Sequence, residues 1–316
     1  MNFVFLMDPL ETVKLEKDTS FILMLGAQRK GHRIYFLPQG GIFLKNGKVF
    51  FQMISVIAQQ DQNQPFIPKG KVLLSDDQVD AVFIRTDPPF NEAYLMDTWL
   101  LDRLPSRITL INSPGGIRTV NEKLWVTQFI SFIPRTLVSQ NREEILDFLK
   151  AEKAIIVKPT DGFGGSSVFC VREGDTNTNV ILETATHRWT RYVIAQQYIE
   201  QADQGDKRIL LLNGEPLGVI LRKHAAGDHR NNFFSGGKPY AADISPRDLE
   251  IIAVLKPHLQ KLGLYFVGID ILGDYLIEVN VTSPTCLQEM NHFSGQHLED
   301  KVIDFTESLA KRVKNI

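Results

Sequence analysis

The chain has 316 residues, 43% hydrophobic and 23% charged, enough for a core of about two domains and too apolar for disorder to be its main state. Thirty-five Lys and Arg against 37 Asp and Glu leave a formal charge of −2, which excludes a global field for nucleic acid or a membrane surface. Cys170 and Cys286 are too few for a disulfide framework, no apolar run approaches the ~20 residues of a membrane span, and Phe3–Met7 is too short for a signal sequence, so a soluble cytoplasmic protein is expected.

In chain order, Phe3–Met7 is a short apolar run stopped by Asp8-Pro9 and predicts a buried strand. A helix is predicted from about Asp18 to Lys30, with Gly31 as its stop, and Arg33–Leu37 predicts a second strand, which completes a βαβ unit. Ala81–Ile84 and Thr109–Ile111 predict further strands around a helix over Asn91–Leu104, so the first part of the chain predicts an open α/β domain with a parallel sheet. A helix is then predicted from Asn121 to about Ser131 and another over Arg142–Ala151. The strands Ile155–Val157 and Val168–Val171 flank a glycine-rich segment. Asn213-Gly214 between two apolar runs predicts a hairpin. Ser245-Pro246 starts a helix reaching Gly263, with a kink expected at Pro257. Tyr265–Leu272 and Tyr275–Val281 are strands around Gly273-Asp274, and an amphipathic helix covers about Leu298–Val313.

Three features carry chemistry. Gly162, Gly164 and Gly165 let the backbone approach a ligand and leave amides for anionic oxygens, and Lys158, at the end of four apolar residues, points into a site rather than bulk water. Lys123 is a second candidate for phosphate charge. Asp270 and Glu278 lie inside strongly apolar strands, where a carboxylate needs a partner or a metal. A two-residue Gly273-Asp274 turn would pair Leu272 with Tyr275 and set Asp270 opposite Ile277, with the two acids on opposite faces. A three-residue loop would pair Leu272 with Leu276 and Asp270 with Glu278, with Asn280 on the same face. The second arrangement offers two carboxylates and an amide oxygen to Mg²⁺. Val281–Thr285 offers hydroxyls and amides to a carboxylate, and Arg222 and Arg230 suit bidentate binding of carboxylate or phosphate. The seven histidines show no zinc spacing, and both cysteines read as structural.

Two lysines, a glycine loop between strands and a late Asp…Glu-x-Asn resemble the ATP-grasp ligases. Asp87-Pro88-Pro89-Phe90, Asn121-Glu122-Lys123-Leu124, Asp206-Lys207-Arg208 and Asn280-Val281-Thr282-Ser283-Pro284-Thr285 make the chain similar, in collinear order, to the bacterial glutathione synthetases within them. The resemblance implies a Rossmann-like (pre-ATP-grasp) α/β domain over 1–120, an ATP-grasp lid over 121–195 and a C-terminal ATP-grasp part with a metal site over 196–316. It implies ATP-dependent ligation of γ-glutamylcysteine and glycine through an acyl phosphate, Mg²⁺ or Mn²⁺, and a homodimer or homotetramer. Residue by residue, it assigns Lys123, Lys158, Gly162, Gly164, Gly165 and Ser166 to the phosphates, Gln196-Gln197-Tyr198-Ile199 to adenine and Asp206 to the ribose. Arg222, Arg230 and Lys158 become catalytic. Asp18, Ser20, Arg85, Arg208, Asn232, Ser283 and Thr285 become substrate contacts, and Asp270, Glu278 and Asn280 metal ligands. The arginine loop departs from the family in Asn231 and His224, and Phe233-Phe234 makes it bulkier. The alternatives are another ATP-grasp amide ligase, acting on D-alanine or a dipeptide, and a catalytically silent ATP-binding regulatory protein.

Overall fold

The computed structural model describes residues 1–162, 166–224 and 237–314. Strands and helices are numbered along the chain. The first part contains β1 (Asn2–Leu6), α1 (Thr19–Arg29), β2 (Arg33–Leu37), β3 (Ile42–Lys45), β4 (Lys48–Ala58), β5 (Phe66–Ser75), β6 (Ala81–Ile84), α2 (Glu92–Leu101), β7 (Thr109–Ile111) and α3 (Pro114–Thr119). Next come β8 (Thr136–Ser139), α4 (Arg142–Glu152), β9 (Ala154–Pro159), β10 (Phe169–Arg172), α5 (Thr178–Ala185) and β11 (Val193–Gln197). The last part contains β12 (Asp206–Leu212), β13 (Glu215–Lys223), β14 (Lys238–Ala241), α6 (Pro246–Lys261), β15 (Phe266–Leu272), β16 (Tyr275–Asn280), α7 (Leu287–Ser294) and α8 (Leu298–Lys314).

These elements form three sheets. In the first, β2, β1, β6 and β7 are parallel, as a βαβ unit requires, but β4 joins β2 antiparallel and carries β3 and β5. The expected N-terminal α/β domain is present, then, with a mixed sheet instead of a parallel one. The second sheet has the order β10-β9-β11-β8 and the third β14-β13-β12-β15-β16, both antiparallel.

The alternation of β1 shows how the parts are joined. Val4 and Leu6 face one core and Phe3, Phe5 and Met7 the other, so the sheet is buried on both sides. Each core also contains residues of the third sheet or its helices: Ile209, Val267 and Ile251 in one, Leu210, Met290 and Val302 in the other. The second sheet and its helices pack on a separate core of Ile145, Leu149, Ile155, Val157, Val171, Leu182, Val193 and Ala195.

One helical expectation changes. Residues 121–131 form no α-helix but two short 3₁₀ turns, Trp125–Gln128 and Ile130–Phe132. The Asn121 side chain accepts from the amides of Lys123 at 3.2 Å and Leu124 at 2.9 Å, a local turn that competes with helix propagation. Pro257 lies inside α6 without ending it. The start of α6 is as expected: Ser245 caps it, and Ser245 and Asp248 bond reciprocally to each other's backbone amides.

Candidate active site

A cleft of about 530 Å³ runs between the second and third sheets to the rim of the first. On one wall, β15 and β16 resolve the question of register. The turn is the two-residue Gly273-Asp274, pairing Leu272 with Tyr275, so the three-residue loop is absent. Asp270 nevertheless stands opposite Glu278, because a β-bulge takes up one extra residue, Ile277, between Leu276 and Glu278. Leu276 and Val279 are fully buried, while Ile277, Glu278 and Asn280 line the cleft. The bulge therefore turns two successive side chains, one apolar and one acidic, to the same side.

The opposite wall supplies cations. Lys123 is 8% exposed; its ammonium lies 2.9 Å from Glu278 Oε1 and donates to the Gly162 carbonyl. Lys158, on β9, is 5% exposed and donates to Gln196 Oε1 at 3.2 Å. Burial pushes the Lys158 ammonium down to about 8, against the opposing pull of Glu278. Ile156, Val168, Leu272 and Ile277 form an apolar stretch beside these charges.

Three buried ionic residues and the half-buried Asp206 close the floor as an alternating chain. Arg222 clasps Asp206 at 2.9 and 2.5 Å and reaches Asp270 Oδ2 at 3.0 Å. Arg208 grips Asp270 from the other side, with Nη2 at 2.8 Å from Oδ2. Burial opposes the Asp270 charge, but the two guanidiniums outweigh it and hold the carboxyl well below the usual range.

Beyond the floor lies the segment 281–286. Ser283 and Thr285 line the cleft, as does Asp18, whose carboxylate caps α1 by accepting from Phe21 N. Arg85 and Ser20 lie behind this segment. Arg85, 3% exposed, donates to Ser20 Oγ at 3.0 Å and to the Pro284 carbonyl at 3.0 Å, and its own carbonyl accepts from Ser283 Oγ at 3.2 Å. The candidate adenine stretch is also partly committed: Gln197 N donates to Arg135 O at 2.9 Å and Tyr198 N to Ala154 O at 3.0 Å, so neither amide is a free donor.

Comparison with known proteins covers nearly the whole chain. The model of the prokaryotic glutathione synthetase N-terminal domain matches residues 1–118, and that of the prokaryotic glutathione synthetase ATP-grasp domain matches residues 122–295. The chain belongs to the prokaryotic glutathione synthetase family. Among its relatives, the glutathione synthetase of Vibrio parahaemolyticus is 38% identical over 98% of this chain and 97% of its own length. That of Escherichia coli K12 is 38% identical over 90% of each. The fold also resembles that of D-cycloserine synthetase DcsG, with a TM-score of 0.67 at 16% identity over 98% of this chain and 99% of the other. The ATP-grasp ligase PsnB aligns with a TM-score of 0.64 at 14% identity, covering 97% of this chain and 98% of the other.

Within that family frame, Gly164, Gly165, Arg230 and Asn232 lie outside the described residues. The other candidates, Arg85 and Ser20 apart, share one cleft. Asp270, Glu278 and Asn280 are hard oxygen donors on a single strand pair, which suits Mg²⁺ by donor type. Asn280 turns its Nδ2 to the Gly268 carbonyl at 3.4 Å, which leaves its oxygen as an acceptor. Asp270 has both oxygens on arginines, so a cation there competes with guanidinium groups. Glu122, Glu289 and Asp87 also line the cleft and were not singled out by sequence. Burial raises all three carboxyls, and for Glu122 the neighbouring Glu278 adds to the rise. Their sequence signals are indirect: Asp87 and Glu122 lie in the Asp87–Phe90 and Asn121–Leu124 segments that carry the resemblance, and Glu289 follows the Ser-Pro-Thr segment by a few residues.

Proposed function

We propose that this chain is an ATP-dependent carbon–nitrogen ligase that joins the cysteinyl carboxylate of γ-glutamylcysteine to the amine of glycine, giving glutathione, ADP and phosphate. The observation that carries this reading is the placement of Lys123, Lys158, Asp270, Glu278 and Asn280 around one cleft that ends at Ser283 and Thr285. A triphosphate needs cations and hard-metal donors together, and a carboxylate acceptor needs hydroxyls and guanidiniums at its far end.

In this reading the apolar stretch of Ile156, Val168, Leu272 and Ile277 takes the adenine ring. Lys123 and Lys158 bind phosphate oxygens, with the amides of Gly162, Gly164 and Gly165 and the hydroxyl of Ser166. Bound Mg²⁺ or Mn²⁺, held by Asp270, Glu278 and Asn280, supplies charge neutralisation at the phosphates. The γ-phosphoryl group passes to the cysteinyl carboxylate, forming an acyl phosphate and releasing ADP. The glycine nitrogen then attacks the acyl carbon, the carbon–oxygen bond to phosphate breaks, and the amine proton leaves to a cleft carboxylate or water. Arg222 and Arg230 face the negative charge that builds on the phosphoryl and acyl oxygens. Asp206 takes the ribose, and Arg208 and Asn232 orient the dipeptide. Asp18 completes the substrate wall, while Ser20 and Arg85 support the Ser283–Thr285 segment from behind.

The reading extends to a cytoplasmic homodimer or homotetramer, supported by the chain's likeness to its family. Among the described residues no helix is long and apolar enough to cross a membrane. The test is ADP release with γ-glutamylcysteine, glycine and ATP-Mg, against each omitted in turn. Full release is expected only with all present. Release unchanged without the dipeptide, or equally fast with D-alanine alone, overturns the assignment.

A further inference from the structure

Asn121, Glu122 and Lys123 are consecutive, yet their side chains reach two different parts of the cleft. Asn121 Nδ2 donates to the Thr160 carbonyl at 3.0 Å, and Lys123 donates to the Gly162 carbonyl while pairing with Glu278. Both flanking residues thus hold the base of the glycine-rich segment. Glu122, between them, turns the other way. Its Oε1 accepts from Val281 N at 3.1 Å, Thr282 N at 3.4 Å and Thr282 Oγ1 at 2.9 Å. Its backbone carbonyl accepts from Val279 N at 3.0 Å. One residue therefore fixes three positions where β16 leaves its sheet, at residues 279, 281 and 282.

The segment that follows has few other holders. Asn112 Nδ2 donates to the Val281 carbonyl at 2.8 Å, and Arg85 fixes Ser283 and Pro284. Backbone at the end of a strand has lost its ladder partners, so a side chain must satisfy it. A carboxylate that accepts two amides and a hydroxyl does so with charge-assisted bonds, about twice as strong as neutral ones.

We propose that Glu122 is a positioning residue for the peptide substrate: it sets the exit of β16 so that Ser283 and Thr285 face the substrate carboxylate, and it ties that setting to the phosphate-side segment through Asn121 and Lys123. The inference rests on the ligase reading above. It names a role that the lysine beside it does not have, since among the described residues Glu122 contacts neither the glycine-rich segment nor Glu278 by hydrogen bond.

The test is a comparison of Glu122→Ala, Glu122→Gln and Thr282→Val with the wild type. It reads KM for γ-glutamylcysteine, KM for ATP, kcat, ATP-Mg binding to the free enzyme, and Tm. Glu122→Ala removes three bonds, and the KM for the dipeptide should rise about tenfold or more. ATP-Mg binding should stay within about twofold, because none of its contacts is removed. Glu122→Gln keeps an acceptor oxygen and should recover most of the loss, while Thr282→Val should show a smaller rise of the same kind. An Ala variant with unchanged dipeptide KM overturns the inference, as does a joint loss of both affinities in step with Tm, which marks a merely structural role. If Glu122→Ala does not fold, the Gln and Val variants decide, and unchanged dipeptide KM in both overturns it. A Gln variant with intact KM but collapsed kcat also overturns it, since that identifies a proton acceptor. Wild-type ADP release independent of the dipeptide sinks the ligase reading and this inference together, whereas a silent Glu122→Ala in a dipeptide-dependent enzyme sinks Glu122 alone.

Discussion

Asp270 and Glu278 are neighbours across a strand pair, but their surroundings separate their roles. Asp270 is held as an anion by Arg208 and Arg222, deep in the floor. Glu278 meets only the Lys123 ammonium among its ion pairs in the described residues and lines the cleft. A Glu278→Gln substitution keeps the shape and removes one charge at the proposed site of the triphosphate and its metal. Turnover should fall on the order of 10³-fold, equivalent to about 4 kcal/mol of lost transition-state stabilisation. ATP should still bind, through Lys123, Lys158 and the apolar wall. Asp274→Asn, in the turn of the same hairpin, should leave kcat within about twofold, because Asp274 is not among the residues that line the cleft. Steady-state kinetics with ATP-binding measurements check both. A Glu278→Gln enzyme within tenfold of wild type, or an Asp274→Asn enzyme equally impaired, would remove Glu278 from the catalytic set.

At the scale of elements, α2 shows a pattern with one misfit. Tyr94, Asp97, Thr98 and Leu101 form its buried stripe at helical spacing, while Met96 and Trp99 face outward, about half exposed. An acid therefore sits in the apolar stripe, and burial alone pushes Asp97 up to about 6. The folded state holds its proton more tightly than the unfolded one, whose Asp titrates near ~3.9. The penalty is therefore full above pH 6 and vanishes below about pH 4. Asp97→Asn should stabilise the protein by about 1–2 kcal/mol at neutral pH, with the gain shrinking as pH falls through that window. Thermal melts across pH test it; a gain that is flat with pH, or a loss, contradicts it. The same scale explains what sequence made legible. Strong apolar runs such as Phe3–Leu6 and Phe266–Leu272, and the Asn213-Gly214 turn, marked their strands. The β3–β4 hairpin carried the same signal in Asn46-Gly47, both at positive φ, between the apolar runs Ile42–Leu44 and Val49–Phe51, and was nevertheless missed. Thr136–Ser139 is short and only partly buried, so it left no periodic trace. The acidic pair was legible, but its register was not, because a bulge depends on the partner strand and leaves no local signature. Glu122 escaped for a related reason: its partners lie some 159 residues away.

The molecule as a whole divides into two packing units. The first and third sheets share both of their cores, so they form one body, while the second sheet folds over its own small core. A unit with its own core and a cleft on one side opens more easily than the body it covers. The chain end closes the body: α8 packs on α1, and Glu299, its side chain fully buried, is gripped by Arg29 at 2.5 Å, Asn291 at 2.6 Å and His297 at 3.0 Å. Burial works against the charge on Glu299, but these donors prevail and lower its pKa below the usual value. A depressed acid contributes stability above its unfolded value near ~4.3 and loses it as pH falls through the folded one. Glu299→Gln should therefore cost about 1–3 kcal/mol at pH 7 and progressively less in acid. Hydrogen exchange then separates the two units. Amides of β1 and β15, buried in the shared cores, should lose protection in Glu299→Gln, whereas those of β9 and β11 should exchange through their own opening and stay unchanged. ATP-Mg should do the reverse, raising protection in β9 and β11 far more than in β1, if nucleotide bridges Lys158 on β9 to the floor of the body as proposed. Equal shifts in all four strands under either change would show one cooperative unit, and the second sheet would then be no independent lid.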